Sequence, residues 1–229
     1  MITVIGVDGS PLTARAGQAI AGATLVVGAP RHLAAVARDR SADGADGGPV
    51  GTISLGRLAP ALDALAAHEG DAVVLASGDP GFFGIVRALR DRGLACTVLP
   101  AASCVSLAFA RAGLPWDDAL VVSAHGRDLR RAVNVCRAYP KVAVLTGPGA
   151  GPAEIGAALT GWPRRMLVAE RLGGDAERLA ECTPAAAALR KWDDLNVVLV
   201  LADRATAAHG GTHQDSHEVS DEPRQGRRP

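Results

Sequence analysis

The chain has 229 residues, with 24 Lys and Arg side chains against 24 Asp and Glu, so its formal net charge is zero. That balance excludes the global basic field with which proteins hold nucleic-acid backbones or anionic membrane surfaces. Hydrophobic residues make up 48% of the chain, enough to bury a substantial core, whereas aromatic residues make up only 3%, too few for base-stacking platforms.

Short apolar runs alternate along the chain with amphipathic segments rich in Ala and Leu. Strands are predicted at residues 2–7, 24–27, 72–76, 96–99, 119–123, 142–146, 165–169 and 196–201. Helices are predicted at residues 13–21, 59–68, 82–91, 103–112, 129–138 and 153–160. Several strands are apolar at consecutive positions, which indicates burial on both faces. The alternation predicts an α/β fold with a largely parallel sheet.

Three breaks in this pattern predict the domain organisation. Residues 41–51 are rich in Gly and Asp and are expected to form a flexible loop. A Gly-Leu-Pro-Trp-Asp segment ends the helix at residue 112, where Pro115 prevents its continuation. The predicted domains are therefore an N-terminal α/β domain at 1–112 and a C-terminal α/β domain at 113–203. Residues 204–229 lose apolar periodicity and are predicted to be a disordered polar tail.

Cysteine usage and the first residues indicate a reduced, soluble, cytoplasmic protein. The four cysteines are scattered without a CxxC pair, which predicts free thiols and no metal site. The first residues, MITVIGVDG, lack the basic segment of a signal peptide.

The turn after the third predicted strand is a candidate ligand site. In the segment ASGDPGFFG, Gly78 and Gly81 free the backbone, and Asp79 stands at the carboxyl end of a buried strand, where open α/β sheets bind ligands. The Asp79 carboxylate would accept hydrogen bonds from ribose hydroxyls or an amine. Equally, Asp79 would cap the following helix. Both interpretations are open at this point.

The next strand leads into Ser103 and Cys104 at the start of a predicted helix. Ser103 is a natural N-cap, and that role accounts for it fully. Cys104 is interpreted either as an activated thiolate or, preferably, as a small residue packed in the core.

Basic residues follow two further strands. His125 and Arg127 stand after one of them on a glycine turn, and Arg31 and His32 stand after another. An arginine there would clamp a carboxylate or phosphate, and His125 would shuttle a proton. The competing interpretation is solvated arginines and a histidine bonded to backbone.

Taken together, six segments resemble the tetrapyrrole (corrin/porphyrin) methyltransferases. In chain order they are VIGVDG…LT, VVLASGDPGFFGI, LPAASCVSLAFARAGLPWDDALVVSAHGR, VAVLTGPGAGPAEIG, LVAERLG and DLNVVLV. The resemblance covers about residues 1–202. Within the family, the sequence is most similar to the carbon-5 methylase of precorrin-6Y C(5,15)-methyltransferase, the CbiE type.

The resemblance implies two α/β domains, each a sheet flanked by helices, with S-adenosylmethionine bound in the cleft between them. It implies cofactor contacts from Gly78, Asp79, Phe82, Ser103, Cys104, Thr146, Leu172 and Asn196. Arg31, His32 and Arg127 would face the substrate, and His125 is a hypothetical proton acceptor or donor. The expected activity is methylation of carbon 5 of a precorrin-7-like corrin precursor, with or without cobalt, in cobalamin biosynthesis.

Some features leave alternatives open. The first loop, GVDGSPLT, is shorter than the GxGPG loop usual in the family, which puts contacts from Asp8 and Gly9 in doubt. Because a polar tail replaces the second methyltransferase domain of the fused enzymes, we expect the carbon-5 step alone. The family usually forms homodimers, and a separate carbon-15 methyltransferase and decarboxylase would be the partner. The competing functions are another tetrapyrrole or diphthine-type methylase, or a non-catalytic module of a methylase complex.

Overall fold

The computed structural model describes residues 1–42 and 51–203, which form two β-sheets with helices packed on their faces. The α/β prediction is therefore confirmed. The tail at 204–229 and nearly all of the predicted loop at 41–51 lie outside the described residues. Within the described ranges, every helix is too short or too polar to cross a bilayer.

The first half is a fully parallel sheet with the strand order β3-β2-β4-β1-β5. Its elements are β1 (Ile2–Val7), α1 (Ala14–Gly22), β2 (Leu25–Gly28), α2 (Pro30–Ala42), β3 (Gly51–Ser54), α3 (Leu58–Ala67), β4 (Ala72–Ser77), α4 (Ile85–Asp91) and β5 (Cys96–Leu99). Because the strands are parallel, their carboxyl ends meet at one edge of the sheet. The loops of this half that carry predicted ligand residues, after β2, β4 and β5, emerge there.

The second half is a mixed sheet with the order β6-β7-β10-β8-β9. Its elements are α5 (Cys104–Ala112), β6 (Leu120–Ser123), α6 (Leu129–Ala138), β7 (Lys141–Leu145), α7 (Pro152–Leu159), β8 (Arg164–Glu170), β9 (Arg178–Cys182), α8 (Pro184–Ala188) and β10 (Asn196–Ala202). Only β6 and β7 pair in parallel. The expectation of a largely parallel sheet is therefore wrong for this half. The seven-residue connection from β8 to β9 is too short for a parallel crossover.

Four elements were missed by the sequence prediction, and one helix begins later than predicted. The edge strand β3 has one large apolar residue, Ile53, and the edge strand β9 is interrupted by the charged residues Arg178 and Glu181. The helices α2 and α8 begin at proline, which the first turn of a helix tolerates. The helix predicted at 82–91 begins at Ile85, because Phe83 has a φ of 55°. That left-handed conformation is incompatible with a right-handed helix.

The helix α5 joins the two halves. Its apolar side chains Val105, Ala108 and Phe109 are fully buried against strands β7, β8 and β10 of the second sheet. In the chain, α5 precedes the boundary predicted at residues 112 and 113, but its packing belongs to the second half. A side-chain cap holds its first turn, since Ser103 Oγ accepts a hydrogen bond from the backbone N–H of Ser106 (3.0 Å).

Candidate active site

A cavity of about 1100 Å³ lies between the two sheets. In the first half it is bounded by the carboxyl ends of β1 and β4. In the second half, β6, β7 and β8 end at the cavity, and β10 begins there because it runs antiparallel to β7 and β8. Loops from both halves therefore face one space, which confirms the predicted cleft.

The backbones of the two halves touch at one side of this cavity. Gly9, with a φ of 93°, and Gly173, with a φ of 78°, approach so closely that a Cβ on Gly9 would lie 1.7 Å from the Gly173 carbonyl oxygen. A Cβ on Gly173 would lie 1.8 Å from the Asp8 carbonyl oxygen. Glycine is thus required twice, for its backbone conformation and for the space at this junction.

The Asp8 carboxylate fastens the first loop to the loop before α5. Its Oδ1 accepts a hydrogen bond from the Ser10 N–H (2.9 Å) and its Oδ2 accepts one from the Ala102 N–H (3.1 Å). Partial burial raises the pKa of Asp8, but these backbone hydrogen bonds outweigh it and hold the pKa below the usual value. Asp8 is therefore ionised at neutral pH, and its oxygens support the loop structure.

Arg31 and His32 meet at the hydroxyl of Ser77, at the end of β4. Arg31 Nη2 donates a hydrogen bond to Ser77 Oγ (2.7 Å), and His32 Nε2 lies 3.0 Å from the same oxygen. Burial, together with the positive charge of Arg31, lowers the pKa of His32 to about 4. His32 is therefore neutral at physiological pH, and Arg31 carries the positive charge of this pair.

The loop between β4 and α4 places aromatic side chains at the cavity. Asp79 Oδ1 accepts a hydrogen bond from the Gly81 N–H (2.8 Å), so its carboxylate shapes the turn. Phe82 and Phe83 then pack edge to face, with ring centroids 5.1 Å apart. Arg127 reaches this loop from the second half, with its Cζ 5.9 Å from the centre of the Phe83 ring.

The second half contributes a wall of apolar side chains with one polar pair. Thr146 Oγ1 lies 2.7 Å from the Asn196 carbonyl oxygen and 2.8 Å from Asn196 Oδ1, so two acceptors share its proton. Leu145, Leu172 and Val197 line the cavity beside this pair. Such a surface combines apolar area with a few oriented polar groups, as small-molecule sites do.

Cys104 lines the cavity at the start of α5. Burial raises the pKa of its thiol and outweighs the opposing effect of the backbone N–H groups. The thiol is therefore protonated at neutral pH, and an activated thiolate is not favoured.

The cavity brings together most of the residues predicted from sequence, across both halves. Phe82, Cys104, Thr146, Leu172, Asn196, Arg31, His32, Arg127 and His125 line it. Gly78, Asp79 and Ser103 are not among its lining residues. Gly78 instead supplies a turn with a φ of 62°, and Ser103 caps α5.

Sequence reasoning missed Ser77, Phe83 and Arg87, which also line the cavity. The chain has only three phenylalanines, and two of them are adjacent at Phe82 and Phe83. That pair was a signal for a ligand-facing loop, and Arg87 follows Phe83 by four residues. For Ser77, its position at a strand end beside Gly78 was the corresponding signal.

Comparisons with known proteins agree with this architecture. The family model for the tetrapyrrole (corrin/porphyrin) methylases matches residues 1–188. The chain belongs to this family. A relative from a Sinorhizobium species, precorrin-6Y C(5,15)-methyltransferase [decarboxylating], is 35% identical over 208 residues, 87% of this chain. The chain spans only about half of that protein (49%). The cobalt-precorrin-7 C(5)-methyltransferase of Salmonella typhimurium is 32% identical, and the match covers 89% of this chain and 100% of the relative.

Solved structures share the methylase fold. The precorrin-6Y methylase (CbiE) of Archaeoglobus fulgidus is similar with a TM-score of 0.66 and 22% identity, over 89% of this chain and 98% of that one. A uroporphyrin-III C-methyltransferase of Thermus thermophilus, solved with S-adenosylhomocysteine, has a TM-score of 0.61 and 20% identity, over 87% of this chain and 96% of that one.

Proposed function

We propose that this methylase transfers a methyl group from S-adenosylmethionine to carbon 5 of a precorrin-7-like corrin in cobalamin biosynthesis. The observation that carries the proposal is a large cavity, walled by both halves and lined by basic side chains that follow strand ends in each half. The full-length match to the Salmonella carbon-5 methyltransferase supports the choice of substrate.

The cavity suits S-adenosylmethionine together with a second ligand. Its volume of about 1100 Å³ is at the upper end of the roughly 300–1,000 Å³ of ordinary ligand pockets. Leu145, Leu172 and Val197 would cover the apolar faces of the nucleoside, with Thr146 and Asn196 beside its polar edge. Gly78, Asp79 and Ser103 would act through the backbone turns that they shape.

The substrate would lie against the basic residues. Corrin precursors carry several carboxylates at the ring periphery, and Arg31 and Arg127 offer guanidinium groups that match carboxylates in geometry. In the described ranges neither arginine has a carboxylate partner. His32 would hold Arg31 in place through their shared contact with Ser77.

The protein's part in the chemistry would be to position the reactants and exclude water. When bound, S-adenosylmethionine supplies an electrophilic methyl group. The electron-rich ring carbon would itself be the nucleophile, so the protein needs no activated side chain for that bond. The ring gains a positive charge with the methyl group, and His125, exposed at the cavity, would take up the proton that the methylated ring then loses.

The assembly and location implied by the resemblance are part of the same proposal. We propose a cytoplasmic homodimer that works beside a separate carbon-15 methyltransferase and decarboxylase. Light scattering of the purified chain tests the dimer, and co-purification with such a partner tests the second point.

Calorimetric titration with S-adenosylhomocysteine tests the cofactor site. Removing the hydroxyl with Thr146→Val should weaken binding about fivefold, because one oriented hydrogen bond is worth about 1 kcal/mol. The matched control is Thr160→Val, which removes a hydroxyl bonded to the Gly156 carbonyl oxygen on α7 (3.0 Å), away from the cavity. Asp79→Ala should also weaken binding, because the turn loses its hydrogen bond from Gly81.

Turnover tests the substrate. Mass and NMR analysis of the product should show one added methyl group at carbon 5. A methyl group at another ring position, or on diphthine precursor protein, would overturn the substrate assignment. Absence of S-adenosylhomocysteine binding by the folded wild type would instead favour a non-catalytic module.

A further inference from the structure

We propose that the Phe83 ring is a stacking platform for the face of the substrate macrocycle, and that Arg87 and Arg127 pair with its peripheral carboxylates. This assignment rests on the proposed function and names the residues that recognise the substrate class. That class is a flat, conjugated ring that carries carboxylates around its edge.

The first argument is the conformation of Phe83. Its φ of 55° lies in the left-handed region, which is unfavourable for a bulky side chain, and glycine would adopt it without strain. Backbone strain of this kind is concentrated at functional sites, where the surrounding structure maintains it. Here the strain turns the Phe83 side chain into the cavity instead of into a helix, since α4 begins only at Ile85.

The second argument is exposure. Phe109, which does not face the cavity, is fully buried, whereas Phe83 is 45% exposed. Phe82 packs edge to face against it, with the two ring planes at 86°. Phe82 thereby supports one edge of the Phe83 ring, and the exposed part of the ring is available to a ligand. Offset stacking on such a ring is favourable for any conjugated planar group.

The third argument is the pair of cations around this ring. Arg127 comes from the second half and approaches the Phe83 ring across the cavity. Arg87 stands one helical turn after Phe83 in the chain, on α4, and lines the same cavity. Among the described side chains of residues 1–37 and 51–203, no carboxylate pairs with either guanidinium.

The arrangement matches one chemical class better than a nucleoside. Two guanidinium groups that share a cavity with a partly exposed aromatic ring fit a ligand with an apolar face and at least two separated anionic arms. S-adenosylmethionine has a flat adenine but only one carboxylate, so it does not offer two anionic arms. The macrocycle with its carboxylates does, so Phe83 and Arg87 are assigned to substrate recognition.

Binding of two corrins that differ only in charge tests the assignment. The probes are hydrogenobyrinic acid, a metal-free corrin polycarboxylic acid, and hydrogenobyric acid, in which most of the carboxylates are carboxamides. Each is titrated into the S-adenosylhomocysteine complex and followed by absorbance. The variants are Phe83→Leu, Phe83→Tyr and Arg87→Gln, with Arg90→Gln as the control, since Arg90 is exposed on the same helix but does not line the cavity.

We expect Phe83→Leu to weaken both corrins about tenfold, as loss of aromatic stacking does elsewhere, and Phe83→Tyr to restore binding. Arg87→Gln should weaken the polycarboxylic acid about tenfold and leave the amidated ring unchanged. S-adenosylhomocysteine affinity should stay at the wild-type value in every variant, which also confirms that each one is folded.

Different results would overturn the assignment or the proposed function separately. If the wild type binds both S-adenosylhomocysteine and the corrin acid, and Phe83→Leu binds both corrins equally well, the stacking assignment is wrong. If Arg87→Gln weakens the acid and the amide alike, the carboxylate assignment is wrong. If the wild type binds S-adenosylhomocysteine but neither corrin, the proposed substrate class itself is wrong.

Discussion

The contact between Gly9 and Gly173 gives the sharpest prediction about how the two halves form one site. Alanine at position 173 would place its Cβ 1.8 Å from the Asp8 carbonyl oxygen. Ordinary contact requires about 3.5 Å, so the first loop and the loop after β8 would have to separate by more than about 1.5 Å. Both loops line the cavity, and the cofactor and substrate contacts of the two halves would then lose their relative positions.

Gly173→Ala should lower both the stability of the protein and its turnover. The left-handed backbone at Gly173, with a φ of 78°, costs an alanine about 1 kcal/mol. Displacement of one wall of a reaction site by about 1 Å lowers turnover about a hundredfold. We therefore expect Gly173→Ala to lose about 1 kcal/mol or more of stability and about a hundredfold in kcat/KM.

Gly161→Ala is the matched control. Gly161 has nearly the same backbone conformation, with a φ of 83°, but a Cβ there would meet nothing within 4 Å, and the residue does not line the cavity. Gly161→Ala should lose about 1 kcal/mol of stability, because alanine is strained in the same left-handed conformation. It should keep wild-type turnover. Urea unfolding reports the stability of both variants, and methyl transfer with S-adenosylhomocysteine titration reports the site. Wild-type turnover in Gly173→Ala would refute the argument that this contact sets the cleft.

Four further predictions concern single residues. Because the folded pKa of His32 is about 4, below its usual value of 6.5, the unfolded chain binds the extra proton between these values. Stability should fall by about 2–3 kcal/mol as the pH drops from 6.5 to 4, and His32→Gln should abolish that slope in acid unfolding curves. Glu170→Gln should cost about 2 kcal/mol in urea unfolding, because the buried carboxylate pairs with Arg178 and accepts the Asp193 N–H (2.7 Å). Ser103→Ala should cost about 1 kcal/mol through the lost cap, and Ser103→Asp should restore it. His125→Gln should lower kcat about a hundredfold if it transfers the proton, and unchanged turnover would remove it from the mechanism.

Local pattern was enough to predict most of the elements. The buried strands were found because consecutive apolar residues indicate burial on both faces, and the strand β1 and the helix α6 match their predicted bounds in full. Where the prediction failed, the pattern was weak. β9 reads RLAEC, with two charged residues in five, as an exposed sheet edge tolerates. Its antiparallel pairing with β8 depends on contacts that no local pattern records.

The candidate site was predicted unevenly for a similar reason. Residues in the loops that follow strands, such as Arg31 and Arg127, were identified because strand ends of an α/β sheet converge on ligands. Thr146, Leu172 and Asn196 were named through the resemblance to the methylases. Phe83 was not identified as a cavity residue. The local sequence favours a helix there, but Phe83 adopts a left-handed backbone conformation and lies outside the helix.

The sequence by itself determined the α/β class, the motifs at the strand ends and the resemblance to the methylases, since these depend on residue type and spacing along the chain. The tertiary structure decided which motifs share a space. Ser77 contacts Arg31, 46 residues away, and Gly9 contacts Gly173 in the other half of the chain. Such pairs follow from strand order and sheet packing, which bring together residues that have no local relation in the sequence.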